Sequence, residues 1–376
     1  MTRAASGRAF PWDAVGLIVL IAAAAVAPDV LRALFGRASV SYLSIVTNAL
    51  SLAILALSWD MLARTGQLSL AHAAFYGAGA YTTALMLRHL ELPMWLGIPA
   101  GGVVAVLFAL LLGSMTLRLR AIYFAIATLA FAEVLKSIAH HAPTAFAGGN
   151  AGMNVAPLFR PAFVAGEMER WEVAFLRNEA YFYVYAGLLA LTVLVSMALQ
   201  RSRLRHAFTA IRTNEDVAGV MGVRPARMKL LAFMLSAAGV GMLGAVEAHR
   251  IGSVLPDQSF AVATTVLALV TPIFGGLYTT LGPIVGALGL SSVQELLRRV
   301  FDDGYLIGYG VVLVMTILFM PRGVVGSIGY AWRKRGSGPS RAAPSAAPGS
   351  DAAGAPTRAA SDAPADDPRA EAGGDA

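Results

Sequence analysis

The sequence predicts an all-α polytopic membrane protein with about ten transmembrane helices, the count lying between about eight and ten. The 376-residue chain is 57% hydrophobic and only 14% charged, with a mean hydropathy of +0.65. Apolar runs of about 20 residues, long enough to cross a hydrocarbon core as a helix, recur along most of it. The alternating segments of about ten residues that build an outer-membrane barrel are missing. This composition argues against a soluble enzyme.

Apolar runs bounded by charges, glycines or prolines define the individual spans. The candidate spans are 12–27, 40–63, 67–87, 94–117, 121–139, 180–199, 230–249, 260–275, 281–297 and 305–320. The first follows Arg3 and Arg8 and has the form of either a cleavable signal peptide or a retained signal-anchor helix, and the later spans favour the anchor. Gly275-Gly276 and Gly282-Pro283 interrupt the stretch 260–297, which is therefore either two short crossing helices or a re-entrant pair.

The distribution of basic residues predicts that both chain ends are cytoplasmic. In that orientation, and leaving out the tail after residue 335, sixteen Lys and Arg residues lie inside and ten outside, as the positive-inside rule requires. The predicted parts are a cytoplasmic N-terminus at 1–11, a transmembrane domain at 12–335 and a disordered cytoplasmic tail at 336–376. Within the domain, 140–179 is the external loop and 201–229 the cytoplasmic loop.

Motifs for catalysis are missing from the sequence. It has no His-Glu-x-x-His, Gly-x-Gly-Asp or Gly-x-Ser-x-Gly pattern, no cysteine and no Walker-type nucleotide loop. We therefore expect a chain that is not an enzyme, uses no cofactor or metal and does not itself hydrolyse ATP by a Walker-type site. Cytoplasmic loops account for the net charge of +7, so the expected partner surface is the lipid bilayer and not nucleic acid.

Ionisable side chains within the spans are candidates for function, because a charge at membrane depth is costly unless it is paired or hydrated. His72 is expected to make a packing hydrogen bond more readily than a substrate contact. Glu133 either lines a cavity or pairs with Lys136, one helical turn away. Glu247 and His249 lie near the end of their span, where solvation at the interface is the simpler interpretation.

The cytoplasmic loop contains an amphipathic pattern. Phe208, Ile211, Val217 and Val220 form a partial apolar stripe at helical spacing between charged positions, which predicts a short cytoplasmic helix. Its basic residues would suit a helix lying on anionic lipid. The alternative is a helix that docks into a partner protein.

Several segments together resemble a known family. Residues 66–75 read Gly-Gln-Leu-Ser-Leu-Ala-His-Ala-Ala-Phe, and 77–81 read Gly-Ala-Gly-Ala-Tyr. Further matching segments lie at 123–133, 148–153, 210–215, 229–233, 275–277 and 281–283. This pattern is similar to permease subunits of ABC importers for branched-chain amino acids, the Liv-type family, over roughly residues 40–325. Ala71 stands where the family usually has glycine.

The resemblance implies an ABC importer permease bundle in a bacterial inner membrane. Its partners would be two ABC ATPase subunits, a second homologous permease subunit and a periplasmic substrate-binding protein. The substrate would be leucine, isoleucine, valine or a related small amino acid, although relatives on this scaffold move urea, amides or aromatic acids. The rival function is an ion-coupled secondary transporter in which Glu133 or Glu247 titrates. An intramembrane enzyme is disfavoured by the missing motifs.

The resemblance also implies roles for particular residues. The ATPase-coupling loop would contain Arg212, Glu215, Asp216, Ala218 and Gly222, with Asp216 in place of the usual glutamate. The signature or translocation path would contain Gln67, Ser69, His72, Gly77, Tyr81 and Glu133. The loop facing the binding protein would contain Gly148, Gly149 and Asn150.

The topology can be tested by labelling single cysteines, since the chain has none of its own. We expect cysteines at positions Ser202 and Ser350 to resist an impermeant thiol reagent in intact cells, because both positions are predicted to be cytoplasmic. A cysteine at Ala165 should be labelled. Labelling of position 202 from outside the cell would overturn the orientation.

Overall fold

The structure, a computed structural model, describes residues 25–92, 94–119, 121–159, 170–301, 308–311 and 314–315. The predicted cytoplasmic N-terminus at 1–11, most of the spans 12–27 and 305–320, and the predicted tail at 336–376 lie outside the described residues.

Nearly all of the described chain is helical. Helix α1 covers residues 25–35, and a 3-10 turn at Gly36–Ala38 joins it to α2. The following helices are α2 (Ser39–Ala63), α3 (His72–Leu90), α4 (Met94–Thr116), α5 (Ala121–His141), α6 (Thr144–Ala147), α7 (Arg170–Arg201), α8 (Leu204–Thr213), α9 (Glu215–Val220), α10 (Pro225–Ile251), α11 (Pro256–Ser259), α12 (Val262–Gly275) and α13 (Leu281–Val300). Two short strands, β1 (Met153–Asn154) and β2 (Ser253–Val254), pair antiparallel.

Six helical stretches of the described chain are long and apolar enough to cross a membrane. They are Ala25–Ala63, Trp95–Thr116, Ile122–His141, Trp171–Arg201, Pro225–Ile251 and Pro256–Gly275. The predicted all-α polytopic membrane fold is therefore confirmed, whereas the predicted number of ten spans is not.

Helix α10 lies at the centre of the bundle and packs against α4, α3 and α2, while α2 also contacts α7 and α13. Glycines permit the closest approaches. A Cβ atom added at Gly79 of α3 would lie 1.9 Å from the carbonyl oxygen of Gly241 on α10. One added at Gly241 would lie 2.5 Å from the Cβ atom of Ala105 on α4. Backbone contact at small residues is how helices associate in a membrane, where apolar burial alone gives little preference.

The bundle has two distinct ends. At one, which we call the α8 end, residues 64–71, helices α8 and α9 and the turn 276–280 lie together: Gly66 packs against Arg212, and a Tyr278 amide bonds to Asp60 at the end of α2. At the other, the hairpin end, β1 and β2 pair and the short helices α6 and α11 lie beside α3 and α5.

Helix α3 begins at His72, so the predicted span 67–87 is wrong at its start. The preceding residues are not helical and run between neighbouring helices. The Leu70 amide donates to the Thr128 hydroxyl on α5 at 2.9 Å, and the Thr265 hydroxyl on α12 lies 3.3 Å from the Leu70 carbonyl oxygen. Non-helical backbone is tolerated at this depth only where protein groups satisfy it.

Part of the predicted external loop 140–179 is helical. Helix α7 begins at Arg170, so the last ten residues of that loop are helical. Its first turns carry several charged residues among apolar positions, so a prediction based on apolar runs left them out of the span. In the stretch 260–297, the chain forms two packed helices, α12 and α13, and a Cβ atom at Gly275 would lie 1.8 Å from the Gly282 carbonyl oxygen.

We expect Gly241→Val to lower the yield and the thermal midpoint of the purified protein, because the added side chain has no space between α3, α4 and α10. Overpacking of this kind typically costs about 1–3 kcal/mol. Gly187→Val on α7 is the matched control, since nothing lies within 4 Å of a Cβ atom there. Equal thermal midpoints for the two variants would contradict the proposed close contact.

Candidate functional site

A cavity of about 320 Å³ lies between α2, α3, α10, α12 and α13. One part of its lining is aliphatic and includes Leu52, Leu55, Leu243 and Leu267. Another part carries charge: Glu247 and Arg250 from α10, and Glu295 and Arg298 from α13. A cavity that combines apolar walls with a few polar groups has the form of a small-molecule site.

The charged group on α10 is held firmly. Glu247 is only 7% exposed and accepts hydrogen bonds from the Tyr185 hydroxyl and from Arg250, whose Nε lies 3.2 Å away. The expectation that Glu247 is solvated at the interface is therefore wrong. The side chain is buried because α7 covers this face of α10, and pairing offsets the cost of burying its charge.

His249 is likewise buried, which contradicts its expected solvation. Its Nε2 lies 2.9 Å from the Thr83 hydroxyl, and its Nδ1 lies 2.7 Å from the Ala156 carbonyl oxygen. The Tyr181 hydroxyl donates to the His249 carbonyl oxygen. Residues after β1 cover this end of α10, and a hydropathy pattern cannot reveal that cover.

The residues of the signature segment do not line the cavity. Gln67 and Ser69 are buried beside α2, where the Trp59 Nε1–H donates to the Ser69 carbonyl oxygen at 3.1 Å. His72 is fully buried, and its Nε2 lies 2.8 Å from the Ser236 hydroxyl on α10. These contacts fix the non-helical stretch in front of α3.

Gly77 and Tyr81, further along α3, pack against one aromatic side chain. A Cβ atom at Gly77 would lie 2.4 Å from the Phe260 ring, and the Tyr81 ring centroid is 5.6 Å from that of Phe260. Phe260 belongs to the chain between α11 and α12. These two signature residues therefore position α3, which borders the cavity.

Glu133 is exposed on the surface of α5 and does not belong to the cavity lining. The predicted pairing of Lys136 with Glu133 is replaced by a different contact. Lys136 Nζ lies 2.9 Å from Asp257 on α11, and His140 Nε2 lies 3.3 Å from the same carboxylate. The pairing joins α5 to α11 at the hairpin end.

The glycine turn at the hairpin end is compact. Gly148 and Gly149 have φ angles of +78° and +54°, and a Cβ atom at Gly148 would lie 1.9 Å from the Gly152 carbonyl oxygen. Both glycines are buried, whereas Asn150 is exposed and its Oδ1 lies 2.9 Å from His140 Nδ1. The glycines shape the turn, and Asn150 is the side chain that it presents.

The predicted amphipathic segment forms two helices and not one. Asn214 separates α8 from α9 with an extended backbone, and its side-chain oxygen accepts from the amides of Asp216 and Val217, both at 3.1 Å. Asparagine is a preferred N-cap residue, which explains the break. The predicted apolar stripe is consequently divided between two surfaces.

The two halves of the stripe face different surroundings. Phe208 and Ile211 of α8 are buried against the bundle, at 2% and 4% exposure. Val217 and Val220 of α9 are 57% and 90% exposed, and the adjacent Met221 is 80% exposed. The α9 tip, by which we mean Val217, Val220 and Met221, thus presents apolar side chains outward.

The segment is anchored to the bundle at two points. The Arg212 guanidinium lies 3.9 Å from the Tyr278 ring centroid, an attractive cation–π geometry. Glu215 pairs with Lys229 at the start of α10, and Lys229 is itself only 1% exposed. Beyond α9, Gly222 adopts a φ of +87°, which lets the chain turn back toward α10.

A buried ion pair lies behind the first anchor. Asp60 is fully buried and accepts from Arg64 Nε at 2.9 Å and from the Tyr278 amide at 2.7 Å. Arg64 also donates to the Ser196 hydroxyl on α7 at 2.9 Å. The pair joins α2, α7 and the turn between α12 and α13, where Tyr278 has an unusual φ of +65°.

Comparison with known proteins identifies the family. The family model described as branched-chain amino acid transport system / permease component matches residues 41–320. The chain belongs to this family. Membership confirms the resemblance of the signature segments and agrees with a transport subunit, in contrast to an enzyme.

Individual relatives carry the same description. The high-affinity branched-chain amino acid transport system permease proteins LivM of Salmonella typhimurium and Escherichia coli are each 32% identical over 278 residues, or 69% of this chain. The matched region spans 64% of the length of those LivM proteins. The LivH permease protein of Escherichia coli is 23% identical over 302 residues, covering 75% of this chain and 93% of that relative. No solved structure matches the chain.

Of the four charged cavity residues, the sequence interpretation named only Glu247 and missed Arg250, Glu295 and Arg298. A signal existed in Glu247 and Arg250, which are three residues apart within an apolar span, and in Glu295 and Arg298, at the same spacing. Acid and base three apart on a helix share a face. Only the fold reveals that the two faces border one cavity.

We expect Asp60→Ala to lower the thermal midpoint of the purified permease strongly. The variant leaves the Arg64 charge and the Tyr278 amide without their buried acceptor, and breaking such a pair typically costs about 3–5 kcal/mol. The double variant Asp60→Leu, Arg64→Met removes both charges and should recover part of the loss. A single variant as stable as the wild type would contradict a structural role for the pair.

Proposed function

We propose that this chain is the permease subunit of an ATP-driven ABC importer in a bacterial inner membrane. The substrate would be leucine, isoleucine, valine or a related small amino acid or amide. The α8 end would face the cytoplasm and the hairpin end the periplasm, with both chain ends cytoplasmic. Two ATPase subunits, a second homologous permease and a periplasmic binding protein would complete the importer.

The α9 tip is the observation that carries this proposal. Apolar side chains that are more than half exposed at a charged end of a bundle indicate a binding surface for a partner. A short helix that presents apolar residues into a partner's groove is a common mode of recognition. Asp216, exposed beside the tip, would set the register at the rim of the contact.

The two anchors would transmit movement of the docked ATPase subunits. The pair Glu215–Lys229 connects α9 to α10, and the contact between Arg212 and Tyr278 connects α8 to the turn between α12 and α13. Helices α10, α12 and α13 all border the cavity. Nucleotide-dependent binding of the ATPase subunits would therefore change the cavity by favouring one arrangement of these helices.

The hairpin end would meet the substrate-loaded binding protein. The turn of Gly148 and Gly149 holds Asn150 outward, and the ion pair of Lys136 with Asp257 fixes α11 beside it. A defined polar surface of this kind suits a transient contact, in which complementary charges guide association. The substrate would then pass directly into the bundle.

We expect the double variant Val220→Asp, Met221→Asp to lose co-purification with the ATPase subunits and to lose ATP-driven uptake. Placing two carboxylates in an apolar contact leaves them desolvated without partners. The measurement is uptake into proteoliposomes of the full complex, together with the amount of ATPase subunit retained on a tagged permease.

The conservative pair Val220→Ile, Met221→Leu is the matched control and should retain both properties. A segment that merely lies on anionic lipid predicts a different pattern, since Asp216→Arg would strengthen its attachment and leave the ATPase subunits unaffected. Uptake that follows an ion gradient in the absence of ATP would reject the proposal in favour of a secondary transporter.

A further inference from the structure

We propose that the cavity between α10 and α13 binds the zwitterionic head of the transported amino acid, with Arg298 receiving the carboxylate and Glu247 the ammonium group. This inference rests on the proposed function, because it assigns the substrate site of the same transporter. It also selects α-amino acids over the uncharged amides and urea that the family resemblance left open.

The first argument is the balance of charge around the cavity. The α10 wall contributes Glu247 and Arg250, and the α13 wall contributes Glu295 and Arg298. The two carboxylates and two guanidinium groups sum to a formal charge of zero. A cavity lined in this way favours a ligand that carries both signs and no net charge over a simple anion or cation.

The second argument is the availability of each charged group. Glu247 is oriented by Tyr185 and Arg250, and Glu295 accepts from Arg299 at 3.0 Å. No carboxylate in the described parts of the chain pairs with Arg298. A guanidinium without an acidic partner is suited to a ligand carboxylate, which it can bind through two parallel hydrogen bonds.

Glu247 suits the ammonium group for a different reason. Its carboxylate is buried and held in place by its two donors, and a carboxylate can accept up to about four hydrogen bonds. An ammonium group would therefore add to an existing arrangement without requiring the side chain to reorganise. Pre-organised acceptors of this kind lose little conformational entropy on binding.

The third argument is the remainder of the lining. Beside the charged walls lie Ile45, Leu52, Leu55, Leu243 and Leu267. An aliphatic side chain would bury its surface there while the charged head remains among the polar groups. The volume of about 320 Å³ lies at the lower end of the range for ligand sites, which fits a small amino acid.

The cavity is also placed where a substrate arriving from the hairpin end would enter. Glu247 and Arg250 lie in the last two turns of α10, which ends at Ile251 next to β2. The lining residues of α2 extend from Ile45 to Leu55, a distance of about 15 Å along the helix axis. The cavity thus reaches from the hairpin end toward the middle of the bundle.

The test measures leucine binding to the permease–ATPase complex without the binding protein, which would bind leucine itself, and compares Arg298→Gln with Arg88→Gln. Arg88, near the end of α3, is exposed and outside the cavity lining. The complex is held in nanodiscs of phosphatidylglycerol, so that no lipid ammonium group competes. We expect Arg298→Gln to weaken leucine binding by about tenfold or more, as loss of a charge-assisted hydrogen bond to the carboxylate requires, and Arg88→Gln to change it less than about twofold.

Two analogues identify the group that Arg298 contacts. 3-Methylbutylamine has the side chain and the ammonium group of leucine but no carboxylate, so its weaker binding should be the same in wild type and Arg298→Gln. 4-Methylpentanoate retains the carboxylate and should lose affinity in Arg298→Gln as leucine does. Glu247→Gln should weaken the amine and leave 4-methylpentanoate less affected.

The inference is overturned if the wild-type permease–ATPase complex shows no saturable leucine binding, or if Arg298→Gln binds leucine as the wild type does. It is also overturned if Arg88→Gln is equally impaired, or if urea competes as well as leucine. These failures are separable from failure of the proposed function. In each variant the ATPase subunits should still co-purify and hydrolyse ATP, and loss of that association in the wild type would count against the importer assignment itself.

Discussion

Backbone amides and carbonyls at membrane depth must find hydrogen-bond partners within the protein, and this constraint shapes the rest of the bundle. The chain leaves helical geometry before α3 and again between α10 and α12. Before α3, the hydroxyl groups of Thr128 and Thr265 accept hydrogen bonds from the amides of Leu70 and Ala73. Because these partners exist, α3 can begin inside the bundle, and α12, which supplies Thr265, also contributes Thr264 to the cavity wall.

The bundle consequently has two kinds of helix contact. Where α3, α4 and α10 cross, glycines bring backbones together and leave no space for a methyl group, as at Gly79 and Gly241. Beside Leu243 and Glu247 of α10, side chains of α2, α12 and α13 border a cavity instead. Because close-packed interiors deform little, a change in the shape of the cavity would involve the contacts around it and not the glycine crossings.

The sequence predicts the class of fold well because hydropathy reports the membrane directly. It also identified the family through the segment around Gln67 and His72, although that segment proved to hold helices together. The sequence-based prediction failed where tertiary contacts decide whether a side chain is buried or where a helix ends. Glu247 is buried by α7 and by its own ion pair, and α8 and α9 are separated by the cap at Asn214. A local hydropathy pattern shows neither that α7 covers Glu247 nor that the apolar stripe is divided between α8 and α9.

The cap at Asn214 separates α8 from α9 at a defined bend in the chain. The Asn214 side-chain oxygen accepts two hydrogen bonds from amides of α9, and such a cap typically contributes about 1 kcal/mol to the stability of a helix. Helix α9 is attached to α10, which lines the cavity, and α8 is attached to the turn before α13, another helix of the lining. A displacement of this segment would therefore act on two helices around the cavity at once, on α10 directly and on α13 through the turn before it.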